Sequence, residues 1–572
     1  MSYRAPINDM TFLLENVVDY NLLENSDYFE DSSLETTVAI LNEASRMAEM
    51  ELNPLQSIGD QQPAYLENGV VRTAPGFSEG YKAIADGGWI GVAANSKYGG
   101  MGLPLTIQNC VNEMLNSSCL SLALNPLMTQ GQIEALEHHA SEEIKTLYLP
   151  KLITGEWSGT MNLTEPQAGS DVGALTTKAI KNDDNTYSIS GQKIYISWGD
   201  NDFTNNVCHL VLARLPDGVQ GTKGISLFLV PKFIPHHDGT VGKKNNLNVV
   251  SLEHKVGLHG SPTAVMEYDQ ATGWLIGKEH QGMKAMFTMM NNARLGVGAE
   301  GLGTAEAAFQ KALTFAMGRK QGKTLTNDTG TIIDHADVRR MLMIMKSKTY
   351  ASRAICLATA VAIDMSNASK EEFWINRAAL LTPIAKSFGT ETGIEVSNLG
   401  IQIHGGMGFV EETGAAQYWR DVRVTSIYEG TNGIQAIDLV SRKLMDGGES
   451  AINLITEIQE LITSDCSNIT GFNQELKSAA DTLTNATQWM INCKDLNERF
   501  AGATSYLEAF ALVLGGYYHL KGALADDQLN KQVRLAKFYL SHVLPGVSQL
   551  CKTATVGSDA IYGLSVEELS MA

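Results

Sequence analysis

Glu429 stands at the centre of Arg420-Asp-Val-Arg-Val-Thr-Ser-Ile-Tyr-Glu-Gly-Thr-Asn-Gly-Ile-Gln-Ala-Ile-Asp-Leu-Val440. The residues before it read as a strand-like or loop segment; those after it carry Ile434, Ile437, Val440 and Leu444 at helical spacing. A carboxylate at that junction has two readings. Flanked by Gly430 and Gly433, with Ile427 and Tyr428 to strip water from it, it gains the raised pKa of a general base beside a closely approaching ligand. Alternatively it is a helix-start acid favoured by the macrodipole.

A second stretch, Met161-Asn-Leu-Thr-Glu-Pro-Gln-Ala-Gly-Ser-Asp171, offers the hydroxyls of Thr164 and Ser170 beside Gly169. These suit a phosphate or the polar edge of a heterocycle, although alone they make only a polar loop. In Gly191-Gln-Lys-Ile-Tyr-Ile-Ser197 the period of two puts Tyr195 and Ser197 on one strand face, a ring and a donor for a flat ligand.

The elements that must position these residues follow from the rest of the chain. At 572 residues several domains are expected, and a net charge of −20 excludes nucleic acid or an anionic membrane as the main partner. The seven cysteines, at 110, 119, 208, 356, 466, 493 and 551, are odd in number and lack paired spacing. They read as buried thiols in a reducing compartment, with no disulfide and no metal site. Acids at 15, 19 and 24 spoil a targeting peptide, and the most apolar run, 506–520, is too short for a membrane span, so a cytoplasmic protein is expected.

Residues 1–32 read as an arm. Ser32-Ser-Leu-Glu35 resembles a capping box that opens a helix burying Val38, Leu41, Ala44, Ala48 and Leu52 and ending before Pro54. Helical segments at 78–86, 105–115 and 133–147 complete a helical domain over 33–157, interrupted by the glycine-rich turn at 97–103. From 158 to 275 short apolar segments around 180, 187–189, 194–196, 209–212 and 225–230, separated by turn clusters, predict a small antiparallel barrel or sandwich. Long helical patterns at 283–317, 335–365 and 373–397 predict a bundle over 276–447. Beyond a Gly447-Gly448 linker, the stripe Leu476, Ala479, Leu483, Ala486 and Met490, with further helices at 506–520 and 533–544, marks an extra helical domain over 448–572. The fold class is mainly α with a central β domain.

Thr164-Glu-Pro-Gln-Ala-Gly-Ser-Asp171, then Gly191-Gln-Lys-Ile-Tyr-Ile-Ser197, then Ile427-Tyr-Glu-Gly-Thr431, in that order, resemble the flavin-dependent acyl-CoA dehydrogenases over residues 80–445. That family has a helical N-terminal domain, a β domain and a four-helix bundle. The arm beginning Tyr3-Arg-Ala-Pro and the block after Gly448 resemble its longer bacterial members, among them the 3-methylmercaptopropionyl-CoA dehydrogenases. The resemblance implies FAD, with Met161, Leu163, Thr164, Gly169 and Ser170 beside the isoalloxazine and Thr164 at its pyrimidine edge. Tyr195 stands where the family commonly has Trp, and Ser197 where it often has Thr donating to flavin N5; Gln167 replaces a usual glycine. Arg319 and Gln321, in Gly318-Arg-Lys-Gln-Gly322, match the segment that reaches the FAD pyrophosphate from a neighbouring subunit, implying a homodimer. Gln402, Gly405 and Gly406, in Gln402-Ile-His-Gly-Gly-Met-Gly408, match its adenosine and pyrophosphate side, and Thr431 and Gly433 join the cofactor set. Asn291 and Arg294 occupy the place of an Asp-x-x-Arg that contacts CoA, with Asn in place of the acid; Ser170 and Gly430 complete the substrate set.

What the resemblance implies chemically is α,β-dehydrogenation of an acyl-CoA to the trans-2-enoyl-CoA. Glu429 takes the α-proton while the β-hydrogen leaves as hydride to flavin N5, with the thioester oxygen polarised by the Glu429 N–H and a ribityl hydroxyl. Some relatives carry the acid on the helix of Asn291 and Arg294 instead, and Ala293 with its neighbours offers none, which leaves Glu429 as the candidate here. Electron-transfer flavoprotein is the implied acceptor; an oxidase using oxygen and a non-catalytic flavoprotein scaffold are the rival readings. The acyl group is 3-methylthiopropanoyl or a fatty chain, since a thioether is nearly isosteric with methylene.

Overall fold

The computed structural model describes residues 3–325, 330–463, 473–526 and 530–571. The chain forms two compact units, one of Glu35–Gly296 and one of Pro6–Leu34 with Val297–Ala572.

The first unit opens with helix Leu34–Met47, continued by a π turn at Ala48–Leu52. At its start the Ser32 hydroxyl donates to the Phe29 carbonyl at 2.6 Å and the Leu34 N–H donates to Glu24 at 2.6 Å. Of the predicted face Leu41, Ala44, Ala48 and Leu52 are buried, and Thr37 and Ser45 join them. Helix Leu105–His139 runs through both 105–115 and the start of 133–147; it kinks where Cys119 leaves helical geometry at φ −156° and carries Pro126 inside. It ends before Ser141, whose hydroxyl accepts from the Ile144 N–H at 3.4 Å and starts a separate helix, Glu142–Ile153.

The β domain is a closed ring. Strand Thr263–Ile276 pairs with Tyr187–Ser197, which pairs with Lys178–Lys181; that strand touches Asn206–Arg214, which pairs with Ile225–Pro231 and so returns to Thr263–Ile276. Leu247–Leu252 and Trp157–Asn162 extend it. The expected barrel is therefore present, but Trp157–Asn162 runs parallel to its neighbour, and Met161, read as part of a loop, lies in this strand. Side chains such as Ile189, Ile196, Val211, Phe228, Val230 and Met266 fill the interior, each worth about 1.5–3 kcal/mol on burial.

The second unit is helical. Helices Ala336–Ser369 and Glu372–His404 pack in it with the part of Gly282–Gly318 from Val297 onward. Their backbones come close: a Cβ on Gly301 would lie 2.2 Å from the Gly389 carbonyl oxygen, so this crossing tolerates only glycine. Helices Glu449–Thr463, Asn473–Asn492, Leu496–Ala525, Lys531–His542 and Gly546–Ala554 follow, and the predicted stripe from Leu476 to Met490 is buried. The arm includes helix Ile7–Asn16, whose Asp9 accepts from Lys346 Nζ at 2.6 Å and Lys531 Nζ at 2.7 Å. Those ammonium groups and Arg353 outweigh burial and hold the Asp9 carboxyl far below its ordinary range. The six described cysteines form no disulfide, and Cys466 lies outside the described residues. No described helix is long and apolar enough to cross a membrane.

Candidate active site

The segment carrying Glu429 is helical on both sides. Helix Ala415–Val422 passes into a 3-10 turn at Arg423–Ser426, and after the turn at 427–431 helix Asn432–Asp438 begins. The strand-like alternative for the preceding stretch is thereby set aside. Helix Asn432–Asp438 is short and ends in a π turn at Leu439–Lys443, so the buried side chains are Gln435, Ala436, Asp438, Leu439 and Val440, while Ile434 and Ile437 are only partly covered. Thr431 is its N-cap, the hydroxyl accepting from the Ile434 N–H at 3.1 Å, and Gly433 is exposed in the first turn.

Glu429 itself has φ +55° and Gly430 φ +79°. A left-handed glutamate costs about 1–2 kcal/mol, and neighbouring side chains hold the backbone there. Gln435 Nε2 donates to the Glu429 carbonyl at 3.1 Å and the Gly430 carbonyl at 3.3 Å, and buried Lys386 donates to the Gly430 carbonyl at 3.0 Å and Asn432 Oδ1 at 2.9 Å. Asn432 in turn donates to Thr390 and Glu391. A strained residue fixed by so many bonds is typical of a functional position. Ile427, expected to shield it, is 52 % exposed, and the Tyr428 hydroxyl donates to Glu300. None of Lys386, Gln435 and Glu300 was legible from motif spacing. The one signal was an acid, Glu300, inside the otherwise apolar run Leu295-Gly-Val-Gly-Ala-Glu-Gly-Leu302.

Elsewhere in this unit, Arg319 and Gln321 are exposed just past a helix C-terminus, where the chain folds back so that the Ile332 N–H donates to the Arg319 carbonyl and the Gln321 N–H to that of Gly330. Gln402 is exposed in the last turn of Glu372–His404, and Gly405 and Gly406 begin a 3-10 turn. His404 is structural: it is buried, stacks on Phe315 at 4.4 Å and bonds the Gly400 carbonyl at 2.7 Å.

In the first unit, Met161, Leu163 and Thr164 are half-buried and Gly169 and Ser170 exposed. A tight turn holds this segment, with Glu165 and Ala168 exchanging backbone hydrogen bonds at 3.1 and 2.9 Å. Glu165, 2 % exposed, faces Lys193, 0 % exposed, at 2.9 Å and also accepts from the N–H and hydroxyl of both Thr176 and Thr177. Burial works to raise its carboxyl, but Lys193 and these donors bring it down to about 2. Lys193 also donates to the Leu163 carbonyl at 2.9 Å, and the Ile194 N–H to that of Thr164 at 2.9 Å, so strand Tyr187–Ser197 clamps the loop from one side. Gln167 joins the clamp through Glu165 at 2.7 Å and Thr176 at 3.2 Å.

Tyr195 interrupts that strand at φ +60°, where the register against Thr263–Ile276 shifts. The bulge lets Lys193 and Ile196, three apart, both be buried, while Tyr195 is 61 % exposed and Ser197 partly so. Tyr195 and Ser197 thus flank buried Ile196 on the outer face, as the period requires. Asn291 and Arg294, one turn apart on Gly282–Gly318, differ: Asn291 is exposed, Arg294 and Ala293 are buried. Beside them Glu134, whose carboxyl burial pushes up to about 7, accepts from Asn292.

These surroundings fit a flat, phosphate-bearing cofactor. The first unit leaves an aromatic ring and hydroxyls exposed on a rigidly clamped edge. A Cβ at Gly169, Gly405 or Gly406 would meet no protein atom within 4 Å, so packing within the chain does not fill the space beside them.

Sequence models of the acyl-CoA dehydrogenase N-terminal, middle and C-terminal domains match residues 35–156, 160–271 and 280–445, and an acetyl-CoA dehydrogenase C-terminal-like model matches 454–565. The chain is 45 % identical to the 3-methylmercaptopropionyl-CoA dehydrogenase of Ruegeria pomeroyi over 458 residues, covering 79 % of this chain and 78 % of that one. It is 30 % identical to a butyryl-CoA dehydrogenase of Syntrophomonas wolfei over 99 % of both. The crystal structure of Caenorhabditis elegans ACDH-11 in complex with C11-CoA shares the fold, with a TM-score of 0.81 at 18 % identity over 99 % of this chain and 96 % of that one. Matched by every domain of one family in chain order, this protein belongs to the acyl-CoA dehydrogenases, FAD-dependent oxidoreductases with, here, an additional C-terminal helical domain.

Proposed function

We propose that this chain removes the α-proton of an acyl-CoA thioester through Glu429 and so forms the trans-2-enoyl-CoA. The observation that carries this reading is the left-handed backbone of Glu429, held by Lys386 and Gln435. FAD, when bound, supplies the two-electron acceptor for the β-hydrogen. The protein's part is positional and electrostatic. On the first unit the cofactor-holding residues are Met161, Leu163, Thr164, Gly169, Ser170, Tyr195 and Ser197; on the second they are Gln402, Gly405, Gly406, Thr431 and Gly433, with Arg319 and Gln321 on the segment that reaches a partner subunit's cofactor. Ser170, Asn291, Arg294 and Gly430 meet the CoA thioester. A carboxylate is far too weak a base for an unactivated α-proton, so the thioester oxygen must be polarised, a task suited to the Glu429 N–H.

The preferred substrate is 3-methylthiopropanoyl-CoA or a short fatty acyl-CoA, in keeping with the names of the relatives above. Electron-transfer flavoprotein is the acceptor and a homodimer the assembly, with Arg319 serving the partner's cofactor. In anaerobic mixing with a panel of CoA thioesters, Glu429→Gln should retain FAD and CoA binding yet lose several decades of flavin reduction rate. Bleaching at near wild-type speed would refute the assignment.

A further inference from the structure

Glu300 is 0 % exposed on helix Gly282–Gly318, in the unit that carries the base. Its Oε2 accepts a hydrogen bond from Tyr428, the residue preceding Glu429, while Oε1 is buried without a partner. A carboxyl group with one satisfied oxygen and one orphaned oxygen is poorly placed to be an anion. Burial, with adjacent Glu429 as a further cause, raises it to about 8, opposed by Tyr428 and Lys386. The same burial and the same two carboxyls raise Tyr428 well above its ordinary value, so the phenol keeps its proton and remains the donor.

The groups facing Glu300 are therefore Tyr428 and Glu429 from the catalytic turn and Lys386 from helix Glu372–His404. Lys386 is committed to the Gly430 carbonyl and Asn432, and Asn432 to Glu391. These side chains lock the turn from two sides, Gln435 and Lys386 through the carbonyls of residues 429 and 430, Glu300 through the Tyr428 ring.

Resting on the assignment of Glu429 as base, we propose that Glu300 is a positioning residue for this reaction: it anchors Tyr428 and thereby the turn that presents Glu429, and its own single ionisation sets the charge behind that base. Neutral Glu300 leaves Glu429 as the only anion of the pair. When Glu300 loses its proton to solvent, a like charge stands behind Glu429 and makes it a stronger base, because taking the α-proton then relieves repulsion. The proton released by Glu300 is not the one taken from the substrate.

The test compares wild type, Glu300→Gln and Glu300→Leu in anaerobic single-turnover flavin reduction by butyryl-CoA across pH. Wild type should show a rise in rate through a pH of about 8. Glu300→Gln, which preserves an acceptor for Tyr428 but cannot ionise, should keep the neutral-pH rate and lose that rise. Glu300→Leu should lower the limiting rate by roughly 10-fold to 100-fold with little change in half-saturating substrate, the cost of a displaced base. Infrared difference spectra of wild type against Glu300→Gln, recorded without substrate, should show a protonated carboxyl C=O band that disappears over the same pH range. An unchanged pH profile in Glu300→Gln, or absence of that band below the transition, overturns the proposal; should Glu300→Leu fail to fold, these two measurements still decide it. A Glu429→Gln enzyme that reduces its flavin normally would instead overturn the underlying assignment of the base, a separate result.

Discussion

Lys193→Met removes the cation from a pair in which neither side chain reaches solvent: Lys193 is 0 % and Glu165 2 % exposed, 2.9 Å apart. The variant leaves Glu165 with its threonine donors but no counter-charge, and the Leu163 carbonyl without its side-chain donor. Breaking a buried pair from one side costs about 3–5 kcal/mol. For a cooperative block the size of residues 35–296, each kcal/mol moves the midpoint by roughly 2–4 °C, so the thermal transition should fall by about 6–20 °C. Because the same lysine clamps the segment proposed to hold the isoalloxazine, FAD should also leave early. Differential scanning fluorimetry with flavin emission as a second probe reads both events. Glu165→Gln combined with Lys193→Met, which removes both charges, should recover most of the midpoint. A single variant melting within about 2 °C of wild type, below the loss expected for even 1 kcal/mol, with normal flavin content would refute the clamp.

Other expectations follow from local geometry. Tyr195→Gly should raise apoprotein stability by about 1 kcal/mol or less, since glycine accepts φ +60° without strain but gains freedom when unfolded. The same change should weaken FAD about tenfold, measured by flavin titration, because it deletes an exposed aromatic surface. Asp9→Asn should cost about 3 kcal/mol at neutral pH by leaving Lys346 and Lys531 without their acid. The native Asp9 carboxyl is depressed, so its stabilisation is full above the unfolded pKa and is lost as pH falls through the folded one. Acid titration of unfolding should therefore be shallower in Asp9→Asn than in wild type.

Long-period features were readable in advance because they depend on nearest neighbours along the chain. The helices at 283–317, 335–365 and 373–397 and the stripe from Leu476 to Met490 follow from side chains three and four apart meeting the same interior. What the sequence hid was contact between distant segments. Nothing near Lys193 indicates Glu165, and nothing near Tyr428 indicates Glu300, 128 residues earlier. Nor did the sequence indicate that the Ser32 hydroxyl donates backward to the Phe29 carbonyl. At Tyr195 the bulge resets strict alternation and leaves Lys193 buried, which the period of two alone does not indicate. The motif residues around 164, 195 and 429 stood out through their resemblance to a family; the side chains that hold them did not.

The acid at position 9 meets a lysine 522 residues further along. Until that lysine has been synthesised and its helix docked, the cluster of Asp9, Lys346 and Lys531 is incomplete, and Asp9 lacks one of its two lysine partners. Helix Ile7–Asn16 thus acts as a latch that closes late in assembly, and any lesion in the far helices should be felt first as fraying at the opposite end of the polypeptide.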